Sequence, residues 1–209
     1  MFTNLSGTSI ALFLISLVIA MVFHEAMHGY VAHWLGDDTA ERAGRLTLNP
    51  LKHIDLYTTI LLPMVLLLAH LPPLLVAKPV PFNPERVKYG EYGAALVGVA
   101  GPLTNLLLAA IAGIIFRIWG MHFGELAFNA VVIFAEVNVA LFIFNLIPIP
   151  PLDGSRLLYA FAPEPVQEFM QRIEAFGFIA VLVFVLILFQ FVSGTFIRIE
   201  TSILQFLLG

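Results

Sequence analysis

Residues Ile10 to Leu35 read IALFLISLVIAMVFHEAMHGYVAHWL, an apolar run of helical length that carries His24, Glu25 and His28 in its second half. A bilayer core about 30 Å thick is crossed by about 20 helical residues, so this run is expected to span. If the helix enters the hydrocarbon near Ile10, His24 lies about 21 Å along it. Three ionisable residues at such a depth are costly unless they face protein or a water-filled cavity, and that placement reads as functional. No basic stretch precedes the run, so it is not expected to be a cleaved signal peptide.

The rest of the chain has the same character. Of its 209 residues 60% are hydrophobic and 11% charged, and the mean hydropathy is +0.95. A soluble domain carries about 25% charge, so an ordinary cytosolic enzyme, a disordered chain and a disulfide-rich secreted module are all excluded. The net charge of −4 and scattered Lys and Arg leave no footprint for nucleic acid. Cysteine is absent, which removes thiolate ligands and thiol nucleophiles.

The expected fold is an all-α polytopic membrane protein, a single domain over residues 1–209. Its spans are expected near residues 10–35, 94–118, 126–147 and 173–192. Residues 56–77 are apolar but hold Pro63, His70, Pro72 and Pro73, which suits a re-entrant or half-span segment. Residues 196–207 read as an interfacial helix or as one that merely packs. Gly44–Pro50 alternates apolar and polar residues between Gly and Pro, the pattern of a strand, so a short hairpin-like element is expected near 42–50. Lys78–Pro84 contains Pro79, Pro81 and Pro84 and must be extended or turning.

His24 and His28 form an H-E-x-x-H pattern. On a helix, positions i and i+4 share a face, so both imidazoles can meet one zinc ion, and the intervening Glu25 can act as general base. Zinc hydrolases use three protein ligands and leave one position open. The candidates for the third are His33, His53, Glu136 and Asp153. Asp153 follows Pro148, Pro150 and Pro151, which end a helix and unwind the backbone. Glu136 is placed near the opposite membrane face and His33 off the ligand face.

These motifs resemble the site-2 protease family of intramembrane zinc metallopeptidases. The resemblance rests on H-E-x-x-H together with Asn145, Pro148, Asp153 and Gly154, supported by Gly44–Pro50, Lys52–Asp55 and Gly101–Asn105. It implies one zinc ion on His24, His28 and Asp153, Glu25 as base, and Asn145 holding unwound substrate. It also implies that the strand around Leu46, Thr47 and Leu48 pairs with substrate backbone. Asn138, two turns from Asn145 on one face, and Asn105 offer further amide donors, and Asn105 could equally tie helices together. No PDZ or CBS domain is expected, which makes this a minimal, core-only member.

For the three ligands to meet, the helices before Asp153 and around His24 must run parallel, so one span separates them and 56–77 does not cross. Charge agrees: with the N-terminus outside, Arg42, Arg45, Lys52, Lys78, Arg86, Lys88, Arg156 and Arg172 lie inside, and only Arg117 and Arg198 outside. The expected place is the cytoplasmic membrane with the site toward the cytoplasm, the expected partners single-span membrane-protein substrates and lipid. The competing reading is a zinc-binding membrane protein without hydrolase activity, a carrier or sensor.

Overall fold

The computed structural model describes residues 6–55, 59 and 77–209. Its α-helices are α1 (Gly7–Trp34), α2 (Thr39–Arg42), α3 (Glu91–Trp119), α4 (Glu125–Asn145), α5 (Gly154–Phe161), α6 (Glu164–Glu174), α7 (Phe178–Val183) and α8 (Phe189–Leu208). A π-helical turn over Phe184–Leu188 joins the last two. Among the described residues four helical stretches are long and apolar enough to cross a bilayer: α1, α3, α4 and Phe191–Leu208. The chain is an integral membrane protein.

Local signals set the ends of α1. The Ser6 hydroxyl accepts the Ser9 N–H at 3.1 Å and caps the start. Gly36, at φ +103°, stops the helix just past Leu35.

The spans pack by side-chain size rather than by polarity. On α3 the buried positions include Gly93, Ala94, Gly98, Gly101, Ala109, Ala112 and Gly113. Leu103, Leu107, Ile111, Ile114 and Ile118 are exposed on the same helix. Lipid tails are as apolar as leucine, so large residues gain little by turning inward, while small ones let backbones approach closely.

Contacts fix the helix directions. Ala20, His24 and His28 of α1 meet Asn105, Asn105 and Val97 of α3 in turn, so these helices are antiparallel. Asn138 of α4 meets Asn105, and Asp153 beyond its end lies against Gly98, so α3 and α4 are antiparallel as well. Hence α1 and α4 run parallel, as the meeting of the ligands requires. At the far end of α3 the Arg117 Nε donates to the Leu207 carbonyl at 2.9 Å.

The stretch expected to be re-entrant, 56–77, lies outside the described residues except for Thr59 and Ala77. Its flanks are joined: the Lys78 N–H donates to the His53 carbonyl at 2.9 Å, and the Lys88 N–H to the Leu35 carbonyl at 2.8 Å. The end of α1 and the start of α3 therefore lie at the same end of the bundle.

Two expectations are corrected. No strand or hairpin forms around residues 42–50, and none is present among the described residues. The alternation is real, but its polar members are consumed locally. Gly44 turns at φ +63°, Asn49 caps a 3₁₀ turn over Pro50–Lys52, the Thr47 carbonyl takes the His53 Nε2–H at 2.8 Å, and Arg45 donates to the Lys78 carbonyl at 2.7 Å. Near the C-terminus the breaks also fall elsewhere. Amphipathic α6 ends at Glu174, Gly177 turns at φ +53°, and helix resumes from Phe178 to Leu208, so residues 196–207 are its second half and not a separate element.

Asp37 anchors the loop between α1 and α2. It is fully buried and accepts the Thr39 hydroxyl at 2.5 Å, the Thr39 N–H at 3.0 Å and the Asn83 N–H at 2.6 Å. Burial favours its neutral form, but these bonds and the Arg86 charge together hold the carboxyl below the usual carboxylate range. A lowered folded-state value means that the stabilisation is present above the unfolded value of about 3.9 and fades as pH falls through the lowered one. Asp37→Ala should therefore lower the unfolding temperature in detergent at pH 7 by roughly 2–10 °C, and the gap to the wild type should narrow toward pH 3. A gap independent of pH would show that the charge is not what matters.

Candidate metal centre

The i, i+4 spacing does what a helix demands: His24 and His28 sit on one face of α1, their rings edge to face at 4.7 Å. The third member arrives from the unwound stretch after α4. There Gly154 is required, because a Cβ on it would lie 2.3 Å from the Leu146 carbonyl oxygen, and this close approach turns Asp153 toward α1.

The three side chains converge. His24 Nε2 and His28 Nε2 lie 3.0 and 3.3 Å from Asp153 Oδ2 and 3.1 Å from each other. Ligand atoms on a tetrahedral zinc are about 3.3 Å apart. His28 Nδ1 faces the Val97 carbonyl at 2.7 Å and His24 Nδ1 faces the Asn105 amide oxygen at 2.6 Å. With protons on both Nδ1 atoms, each Nε2 offers a lone pair to the triangle. Asp153 Oδ2 is buried with no hydrogen-bond partner. Three acceptors this close call for a positive centre, so His24, His28 and Asp153 fit a metal ion.

The other candidates are elsewhere. His33 pairs with Glu41 at 3.6 Å on the surface, buried His53 serves the Thr47 carbonyl, and Glu136 is exposed on α4. A cavity of about 530 Å³ opens onto the triangle, with Glu25, Asn145 and Val80 also on its wall. Glu25 Oε2 accepts the Val80 N–H at 2.9 Å, which fixes the carboxylate beside the triangle.

The family described as Peptidase family M50 matches residues 121–189, which include α4 and the Asp153 loop but not the H-E-x-x-H helix. The chain is 40% identical to a Bacillus subtilis protein named "Putative zinc metalloprotease YwhC", over 81% of this chain and 77% of that one. The chain belongs to peptidase family M50, the site-2 protease family. A Mycolicibacterium smegmatis protein named "Putative zinc metalloprotease Rip2" is 27% identical over 79% of this chain and 63% of its own length. One from Methanocaldococcus jannaschii, "Putative zinc metalloprotease MJ0611", is 30% identical over 72% of each chain. No solved structure matches with significance. Membership makes the chain a metalloprotease, and zinc is the metal in all three names.

In this M50 peptidase Asn138, read as a substrate donor, and Asn105, read equally as a substrate donor or as a tie between helices, are fully buried and hydrogen-bond to each other at 2.9 Å, away from the cavity, so Asn105 ties helices together. Leu46, Thr47 and Leu48 are not on the cavity wall either; the extended chain from Ala77 to Phe82 is. Gly101 belongs to the Gly101–Asn105 stretch that supports the resemblance, and its steric role shows only in the structure. A Cβ there would lie 2.4 Å from His28 Nε2 and 2.7 Å from His24 Nε2, so glycine is what lets α3 close over the imidazoles.

Proposed function

We propose that this metalloprotease hydrolyses peptide bonds within or next to the transmembrane helices of single-span membrane proteins, using zinc held by His24, His28 and Asp153. The observation that carries this reading is the triangle of buried acceptor atoms on a membrane-crossing helix, open to a cavity large enough for an extended peptide. When bound there, zinc supplies Lewis acidity toward a peptide carbonyl and lowers the pKa of water toward about 7.

Glu25 is the general base. Its Oε2 is committed to the Val80 N–H, which leaves Oε1 to take a proton from water and deliver it to the leaving amine. A substrate helix satisfies its own backbone and must unwind before it can be cut. The extended chain beside Glu25 supports β-augmentation at that point: the carbonyl of Val80 and the N–H of Phe82 have no partner among the described residues. Prolines at 79 and 81 remove donors from the opposite edge, so pairing is confined to the edge that carries Val80 and Phe82. Asn145, on the cavity wall, bonds through Nδ2 to the Leu141 carbonyl at 3.0 Å and keeps its Oδ1 for substrate. The excess of Lys and Arg on the loops at the site's end of the bundle supports a cytoplasmic side for that end.

Purified protein with one equivalent of zinc, mixed in bicelles with single-span substrates, tests this. Cleavage inside the apolar stretch is expected by mass spectrometry, slowed by about 10²–10⁴-fold in Glu25→Gln with zinc retained. Cutting confined to soluble polypeptides, or an unaffected Glu25→Gln variant, would overturn it.

A further inference from the structure

A neutral imidazole carries one proton, and a histidine can offer Nε2 to a metal only if that proton is on Nδ1. For His28 the matter is settled by a group that cannot change: the Val97 carbonyl, 2.7 Å from Nδ1, can only accept. His24 has no such guarantee. Its Nδ1 faces a carboxamide, Asn105, at 2.6 Å, and a carboxamide can present either an acceptor or a donor by turning over. Were the Asn105 NH₂ to face His24, the proton would move to Nε2 and close the ligand position.

The surrounding bonds decide which end faces His24. Asn105 Nδ2 donates to Asn138 Oδ1 at 2.9 Å and to the Ala20 carbonyl at 3.3 Å. Asn138 could turn over in its own right, but its Nδ2 donates to the Phe134 carbonyl at 2.8 Å. That carbonyl, like Val97's, can only accept. Direction therefore passes from Phe134 to Asn138, from Asn138 to Asn105, and from Asn105 to His24, across three spans. Both asparagines are fully buried, where low local dielectric makes each bond strong and a mispaired amide costly.

We propose that Asn105 and Asn138 are positioning residues that lock His24 in its Nδ1–H tautomer, with Asn138 acting at a distance by preventing Asn105 from turning over. The proposal rests on the reading of His24 as a zinc ligand. Outer-shell partners of metal-bound histidines set ring orientation and basicity in general, and their loss costs about 10–100-fold in affinity. Here the unusual feature is that the second member of the relay touches neither a ligand nor the cavity.

The test uses the full chain in detergent, with zinc affinity from chelator competition and the His24 tautomer from ¹⁵N spectra of metal-free, ¹⁵N-histidine-labelled protein. Wild type should show His24 protonated at Nδ1. Asn138→Leu, which keeps bulk and removes the acceptor, should weaken zinc binding by about 10–100-fold and populate the Nε2–H tautomer. Asn138→Asp, neutral in these surroundings, still accepts from Asn105 and donates to Phe134, and should stay within about three-fold of wild type. A merely structural role would weaken both variants and leave the tautomer alone. The relay is overturned if Asn138→Leu binds zinc like wild type, if Asn138→Asp falls as far as Asn138→Leu, or if wild-type His24 carries no proton on Nδ1. The last result decides even if Asn138→Leu does not fold. If wild type takes up no zinc, the ligand assignment fails, and the tautomer spectra still judge the relay.

Discussion

Asp153→Ala should purify with less than about a tenth of a zinc ion per chain, against about one in the wild type, and with no peptidase activity above background. Two imidazoles remain, but a site that loses an inner ligand loses more than the 10–100-fold that an outer partner is worth. A second consequence separates this from general damage. Added zinc at about 100 times its Kd should stabilise the wild type by about 2.7 kcal/mol and leave the variant unchanged. Zinc retained by Asp153→Ala would move the third ligand elsewhere.

Gly101→Ala should have nearly the same effect through a single methyl group. The added carbon would lie 2.4 Å from His28 Nε2 and 2.7 Å from His24 Nε2 and Cε1, inside any real contact distance and within the space a metal needs. Alanine favours helix over glycine by about 1 kcal/mol, so helix content should hold by circular dichroism while zinc content falls below about a tenth per chain. Gly194→Ala, with open space around the new carbon, is the matched control and should bind zinc normally. Normal zinc in Gly101→Ala would mean that α3 can withdraw from the imidazoles, and the close fit described above would lose its significance.

The parts of this protein legible in its sequence are those with a period or an exclusion behind them. His24 and His28 lie four apart on a helix, so their meeting follows from helix geometry alone, and the parallel course of α1 and α4 follows from requiring Asp153 to join them. Length and apolarity show where α1, α3 and α4 cross. What stayed hidden depends on direction and distance. Asparagine declares a capacity to donate and accept but not toward whom, so Asn138 read as a substrate contact and Asn105 as a substrate contact or a helix tie, although the bonds of both run inward. Gly44–Pro50 alternates like a strand, yet a strand needs a neighbour, and here side chains of Asn49, His53 and Arg45 take up the polar groups first. The last span is displaced because Gly177 breaks the chain at φ +53° where hydropathy runs on smoothly, while Gly194 sits unbroken in helix.

The inner stripe of α3 has a consequence for how this helix tolerates change. Gly93, Gly98, Gly101 and Gly113 each leave less than 3.0 Å for an added carbon, whereas Leu103, Leu107 and Ile114 stand exposed toward lipid. Glycine-to-leucine exchanges would leave any hydropathy profile of the helix intact or improved and still drive it off its neighbours. In a saturation screen of α3, survival should sort by side-chain volume on one face and by charge on the other. Lineages of this peptidase would then drift freely among Leu, Ile, Val and Phe on the lipid side while the opposite side admits almost nothing larger than alanine.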